Sequence, residues 1–286
     1  MGEQVQVAQP LVHQLLDVEP AGDDVFLGQV MRAPGRVFGG LVLGQAAAAA
    51  NTTVAGGRQL KALHAEFIRE GDPSEPIQYR VERVRDGRTY TRRQITASQR
   101  NQVIFLQTSS YGVDQPGPSR QFPAAMPAED PAALPDLAPS LHGIYAGPAW
   151  LAAQPEIDLR MVAGDPEAER FGRIRFWYRY RAPLPDDPLR HAALWAFFSD
   201  MSLLTSARLT HNDGPAEVSR WRTSSLDHAL WLHGPVCCTG WLRVDQECDR
   251  VDSGFGVATA RVFDEHGTQV STIAQHGLIR APRQEA

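Results

Sequence analysis

Few side chains in this sequence combine the type and the setting that chemistry needs, and Asp200 is the sharpest of them. It sits between Phe198 and Leu203 in an apolar block, where a carboxylate is costly unless hydrogen-bonded or paired. Such a group serves either as a base or as a structural carboxylate that caps its helix or pairs locally, with Arg208 for example. Ser225 opens the strand-like run that follows, and Gln275 lies within Thr272-Ile273-Ala274-Gln275-His276-Gly277. A serine at a strand start is normally a turn residue, and a mid-strand glutamine is normally a polar group on a sheet face. Both readings stay open for each. Alternation puts Ser225, Asp227 and Ala229 on one strand face. Asp227 and His228 then point to opposite faces, which excludes a side-by-side catalytic dyad and makes His228 structural. His64 is read the same way. His233, His266 and His276 lack metal-ligand spacing.

Other chemistries are discounted by what is missing. There is no Gly-x-Ser-x-Gly elbow for a serine hydrolase, no phosphate loop and no dinucleotide fingerprint. Cys237, Cys238 and Cys248 form neither a zinc pattern nor a disulfide framework, so no metal and no cofactor is expected. A net charge of −5 argues against nucleic acid as a partner. The Arg-rich strands from Arg80 to Arg93 read as solvated faces. No run of about 18 apolar residues exists, which argues against a membrane span. Met1-Gly2-Glu3-Gln4 does not open a signal peptide, and Arg283-Gln284-Glu285-Ala286 is no peroxisomal address, so the cytoplasm is the expected compartment.

The elements that must position these residues follow from periodicity. Val12, Leu15, Leu16 and Val18 predict a short amphipathic helix, and Asp24 to Val30 a strand. The alanine-rich, proline-free run from Phe38 to Thr53 predicts a helix that is apolar all round and therefore buried. Strands are expected near 60–70, 76–85, 89–99 and 102–112, separated by turns at Asp72-Pro73, Asp86-Gly87 and Arg100-Asn101. Residues 113–150, rich in Pro and Ala, read as a surface linker. The order then recurs. Ile157 to Val162 and Arg173 to Tyr180 are strands, His191 to Ala207 a buried helix, and strands follow near 222–233, 238–249, 254–264 and 269–280. A repeat about 165 residues apart is domain duplication rather than a solenoid. Leu63-His64-Ala65 answers Asp227-His228-Ala229, and Gln107 answers Gln275. Gln45 stands in the first helix where the second has Asp200, so the first copy reads as the outline of a site without its base. Each helix is buried when its antiparallel meander curls around it, giving an α+β protein of two such units with their sheets joined edge to edge.

Several runs carry a resemblance. Arg36-Val37-Phe38-Gly39-Gly40-Leu41-Val42-Leu43-Gly44-Gln45-Ala46, His64-Ala65-Glu66-Phe67-Ile68-Arg69-Glu70-Gly71-Asp72 and Leu226-Asp227-His228-Ala229-Leu230-Trp231-Leu232-His233 resemble the acyl-CoA thioesterase II family, as does Val81 to Arg88. Glu70 stands where that family usually has proline. The resemblance implies a double hotdog: an N-terminal repeat over 1–112, a linker over 113–150 and a C-terminal repeat over 151–286. It implies hydrolysis of fatty acyl-CoA by direct attack of water, and an acyl-CoA partner. The family's catalytic aspartate falls on Asp200, its hydroxyl residue on Ser225 and its glutamine on Gln275. Serine replaces the commoner threonine, keeping the hydroxyl but losing the methyl that fixes its rotamer. A hotdog enoyl-CoA hydratase would need a histidine five residues after Asp200, where Thr205 stands. A non-catalytic acyl-CoA-binding protein is the other alternative. Exposed sheet faces and edges lead us to expect a homo-oligomer, a dimer or tetramer.

Overall fold

The proline-free block after Phe38 becomes α1 (Gly39–Asn51), and ten of its thirteen residues are buried, as an all-round apolar helix requires. The computed structural model describes residues 11–31, 35–121, 130–136, 154–162, 172–210 and 221–281. Among these, one antiparallel sheet of twelve strands surrounds the helices. Its first-half strands are β1 (Val18–Gly22), β2 (Val25–Gly28), β3 (Gln59–Phe67), β4 (Ile77–Asp86), β5 (Tyr90–Gln99) and β6 (Gln102–Gly112). Its second-half strands are β7 (Ile157–Met161), β8 (Ile174–Tyr180), β9 (Arg222–Leu232), β10 (Leu242–Asp252), β11 (Phe255–Asp264) and β12 (Gln269–Arg280). The spatial order is β1-β2-β4-β5-β6-β3-β9-β12-β11-β10-β8-β7. Read inward from either edge it is the same arrangement twice, so β3 and β9 meet at the centre and the two sheets seal each other's inner edges. The chain therefore has the double-hotdog α+β architecture.

Two helices fill the hollow of this sheet. α2 (Pro188–Ser199) starts three residues earlier than periodicity indicates, because the Asp187 carboxylate accepts the Leu189 N–H at 2.9 Å and Pro188 suits the first helical turn. α1 lies against α2 closely enough that a Cβ on Gly40 would come within 2.3 Å of the Phe197 carbonyl oxygen. Gly40→Ala would force the helices apart, and with them the start of α1, which matters below.

Some elements depart from expectation. The helix expected over 191–207 is broken: α2 ends at Ser199, Asp200 is its C-cap, and α3 (Leu203–Leu209) restarts after Ser202. Short polar side chains offer the backbone competing partners, and three of them fall at 199, 200 and 202. Val12–Leu16 is a 3-10 turn rather than a helix reaching Val18, because Val18 already pairs with Gly28 across β1 and β2. β10 begins at Leu242 rather than 238, since Cys238-Thr239-Gly240 forms a turn. The expected linker falls among the described residues only at 113–121 and 130–136, where Asp130 caps a 3-10 turn over Pro131–Ala133. Its remainder lies outside the described residues. No helix among the described residues is long and apolar enough to cross a membrane.

Candidate active site

The break after α2 gives Asp200 its role, because a C-cap residue can turn its side chain away from the helix axis. Asp200 Oδ1 accepts hydrogen bonds from Ser225 Oγ at 3.2 Å and from Gln275 Nε2, and Gln275 Nε2 also donates to Ser225 Oγ at 2.8 Å. Asp200, Ser225 and Gln275 thus meet, although 75 residues of chain separate the first from the last. The Gly40 N–H, in the first turn of α1, also favours the charged form of this carboxylate. That turn supplies the positive end of a helix dipole to the anion. A Cβ on Gly39 would lie 2.7 Å from Asp200 Oδ2, so glycine is needed there for the two halves to approach. Burial outweighs these favourable contacts and pushes the Asp200 carboxyl up to about 6, against the lowering pull of Gln275, Ser225, Gly40 and Arg36. A carboxylate of that kind is ionised at neutral pH yet more basic than an ordinary one.

Ser225 reaches Asp200 through a bulge, which alternation does not anticipate. In β9 and β12, His276 faces Asp227 and Gly277 faces Ser225, so Leu226 is an extra residue. The bulge re-aims the strand, putting Ser225 on the helix-facing side with His228 and leaving Asp227 exposed. Ser225 and Asp227 therefore do not share a face as strict alternation implies.

The sheet register also corrects the match between the halves. Val81, Ile95, Gln107 and Ala65 lie in one row across β4, β5, β6 and β3. That row continues through His228, Gln275, Ala258 and Cys248 on β9, β12, β11 and β10. Gln107 thus answers Gln275, but the counterpart of His228 is Ala65, and His64 is an exposed neighbour stacked edge-on against Trp231. Ser225, opposite Gly277, corresponds to Leu63, opposite Ser109. Gln45 accepts from Tyr79 on β4 at 2.7 Å, and Tyr79 occupies the register of Gln246, to which Ser202 donates at 2.8 Å. Gln45 therefore answers Ser202 rather than Asp200. Of the three candidate positions, the first half thus repeats only the glutamine.

Asp200 and Ser225 line a cleft of about 510 Å³. One wall is apolar and comes mainly from the first half: Val37, Phe38, Val42, Phe67, Ile104 and Phe105. The rim carries Arg36, Arg69 and Arg280 against one acid, Glu70. Arg36 crosses from the first half to the second, donating to Glu70 at 3.0 Å, to Ser224 Oγ at 2.7 Å and to the Thr223 carbonyl at 2.6 Å. These wall and rim residues were not singled out from the sequence. Arg36 and Phe38 flank the glycine-bearing start of α1, and that proximity is the one signal that could have pointed to them. Arg208, considered as a partner for Asp200, is buried elsewhere in α3. No cluster of three or more metal-ligating side chains occurs among the described residues.

Known proteins agree with this architecture. Residues 29–112 match the family model of the acyl-CoA thioesterase N-terminal domain, and residues 123–279 that of the C-terminal domain. The chain is 32% identical to acyl-coenzyme A thioesterase 8 of Mus musculus over 94% of this chain and 89% of that one. It is 28% identical to acyl-CoA thioesterase 2 of Haemophilus influenzae, over 94% and 96%. The crystal structure of an acyl-CoA thioesterase II, TesB2, from Mycobacterium marinum matches with a TM-score of 0.79 and 33% identity, covering 94% of this chain and 98% of that one.

Proposed function

Because the chain belongs to the acyl-CoA thioesterase family and is an acyl-CoA thioester hydrolase, we propose that it cleaves fatty acyl-CoA to fatty acid and CoA at Asp200. The observation that carries this reading is the hydrogen-bonded set of Asp200, Ser225 and Gln275, opening on a cleft that is apolar on one side and arginine-rimmed on the other. The acyl chain lies along Phe38, Val42, Phe67 and Phe105, and the phosphates of CoA meet the arginines at the rim. A water on the carboxylate gives its proton to Asp200 as its oxygen attacks the thioester carbon. Ser225 and Gln275, each able to donate and accept, hold that water in line. Backbone N–H groups in the first turn of α1 stabilise the charge that develops on the carbonyl oxygen. The C–S bond then breaks, and the CoA thiolate recovers the proton from Asp200. No acyl-enzyme forms, and no cofactor takes part.

The two repeats are assigned to 1–112 and 151–286, with 113–150 as their linker, and the protein works in the cytoplasm as a homo-oligomer. Light scattering of the purified chain tests the assembly; a monomer at all concentrations would refute it. Thiol release from a panel of acyl-CoAs tests the chemistry. Steady release that disappears in Asp200→Asn is the expected outcome. Binding without release would make the protein an acyl-CoA sensor, and loss of an enoyl-CoA without thiol release would make it a hydratase.

A further inference from the structure

In the register row that crosses the centre of the sheet, His228 and Gln275 are direct partners on β9 and β12, and each is 1% exposed. Each also carries a buried polar atom without a partner among the described residues: Nδ1 of His228 and Oε1 of Gln275. The other ring nitrogen, Nε2, lies 2.8 Å from the hydroxyl of Ser199, the residue directly before Asp200. His228 therefore stands between the two chain segments that bring Asp200 and Gln275 together. Burial drives its pKa down to about 3, so the ring is neutral and one nitrogen alone carries a proton.

Which nitrogen that is can be decided by energetics. Ser199 Oγ is 2.8 Å from both His228 Nε2 and the Ala196 carbonyl oxygen, so its one proton has two possible acceptors. If it goes to Ala196, the imidazole proton must sit on Nε2. Nδ1 and Gln275 Oε1, on directly paired residues, are then two buried acceptors with no donor, at about 1–3 kcal/mol for each unsatisfied group. If it goes to His228, Nδ1 holds the imidazole proton and becomes a donor available to Gln275 Oε1 on the paired strand, and only a helix carbonyl is left under-satisfied, the cheaper deficiency.

We infer that His228 is a positioning residue: its Nδ1–H donates to Gln275 Oε1 and so fixes which end of the Gln275 amide faces Asp200. A flipped amide would present Oε1 to the carboxylate, acceptor against acceptor, would lose the Asp200 bond, and would draw the Ser225 hydroxyl proton away from Asp200. The first half has no such device. Ala65 stands at the register of His228, Gln107 Nε2 donates to Ser109 Oγ at 2.9 Å, and the buried Oε1 of Gln107 is left without a partner among the described residues. The inference rests on the proposed role of Gln275 in holding water.

Imidazole ¹⁵N NMR of the intact wild-type protein at neutral pH tests it, with the His228 signals assigned by their loss in His228→Asn. The expected spectrum shows His228 protonated on Nδ1; protonation on Nε2 would overturn the inference whatever the activity. Kinetics give a second arm. His228→Asn places an amide N–H near the position of Nδ1 and keeps kcat within about threefold. His228→Gln and His228→Leu lower kcat by about ten- to hundredfold with KM unchanged, the loss expected for one buried hydrogen-bond partner. A folded His228→Leu protein with full kcat would refute positioning, as would equal losses in the Asn and Gln variants. Gln275→Leu separates the two ideas. Full activity there removes the water-holding role of Gln275, whereas an inactive Gln275→Leu beside an Nε2-protonated His228 removes only the inference.

Discussion

The two halves of the sheet share strand order, register and a buried glutamine in the same row, yet only one of them builds an acid site. Beside the carboxylate itself, the difference lies in three paired positions. Where the second half has Ser225, His228 and Gly277, the first has Leu63, Ala65 and Ser109. Two of the first-half residues are apolar, and the third, Ser109, accepts from the amide of Gln107. With Gly277 in that place, Gln275 has no hydroxyl beside it on its own strand and turns to Ser225 and Asp200. A duplicated frame therefore becomes asymmetric through a few side chains. The half without the carboxylate supplies the cleft's apolar wall and the helix start that meets Asp200.

The contrast breaks hardest at the carboxylate. Asp200→Asn is expected to lower kcat by about 10²–10⁴-fold, the range for a positioned base. Gln45→Leu, in the matching helix, should leave kcat unchanged but cost about 1–3 kcal/mol of stability, because the Tyr79 hydroxyl loses its buried partner. Thiol release and denaturant unfolding measure the two effects. A Gln45 variant as inactive as the Asp200 one would abolish the asymmetry.

Next come the supporting groups. Ser225→Ala and Gln275→Leu should each lower kcat by about ten- to hundredfold, since each removes a hydrogen bond to a charged group. Gln107→Leu, at the equivalent register, should leave the rate nearly intact. Equal losses from Gln107 and Gln275 would mean that both halves act on substrate.

The pH dependence follows from the raised pKa of Asp200. The base must be ionised, so kcat/KM should fall below about pH 6, approaching tenfold per unit. Stability should move the other way. The native state binds this proton more tightly than the unfolded chain does, so ionising Asp200 destabilises the fold as pH rises through about 6. Asp200→Asn should accordingly melt a few degrees higher than wild type above pH 6, an advantage that disappears below about pH 4. A scanning-calorimetry series across pH checks this. A lower melting temperature for the variant at pH 8 would show that the carboxylate stabilises rather than strains the site. The smallest effect is expected at the first-half wall. Val42→Phe narrows the cleft and should slow long acyl chains a few-fold more than short ones, read as the ratio of kcat/KM values.

Much of the fold was legible because it depends on periodicities that survive without tertiary information. The run of alanines after Phe38 has no polar stripe, so it had to be buried. The strands from Leu60 to Tyr111 alternate cleanly enough that their ends were placed within about three residues. What misled was local detail. The helix expected across Asp200 is broken because its polar residues find partners on β9, β10 and β12, far away in sequence. Ser225 faces the carboxylate only because Leu226 is a bulge, and a bulge is a property of two paired strands. His64 and His228 look equivalent beside their alanines, but counting along one chain does not reveal a one-residue offset in pairing.

The sequence by itself determined that the chain is duplicated, that each copy wraps a buried helix, and that the carboxylate in the apolar block belongs to the second. These are consequences of pattern and composition, which act locally on each segment. Tertiary structure alone decided that Asp200 sits at a helix break, that Ser225 and Gln275 reach it, and that the glycine-bearing start of α1 from the other half comes up against it. Those facts depend on how strands register and how closely two helices approach. Both are set by contacts between residues that the chain keeps far apart.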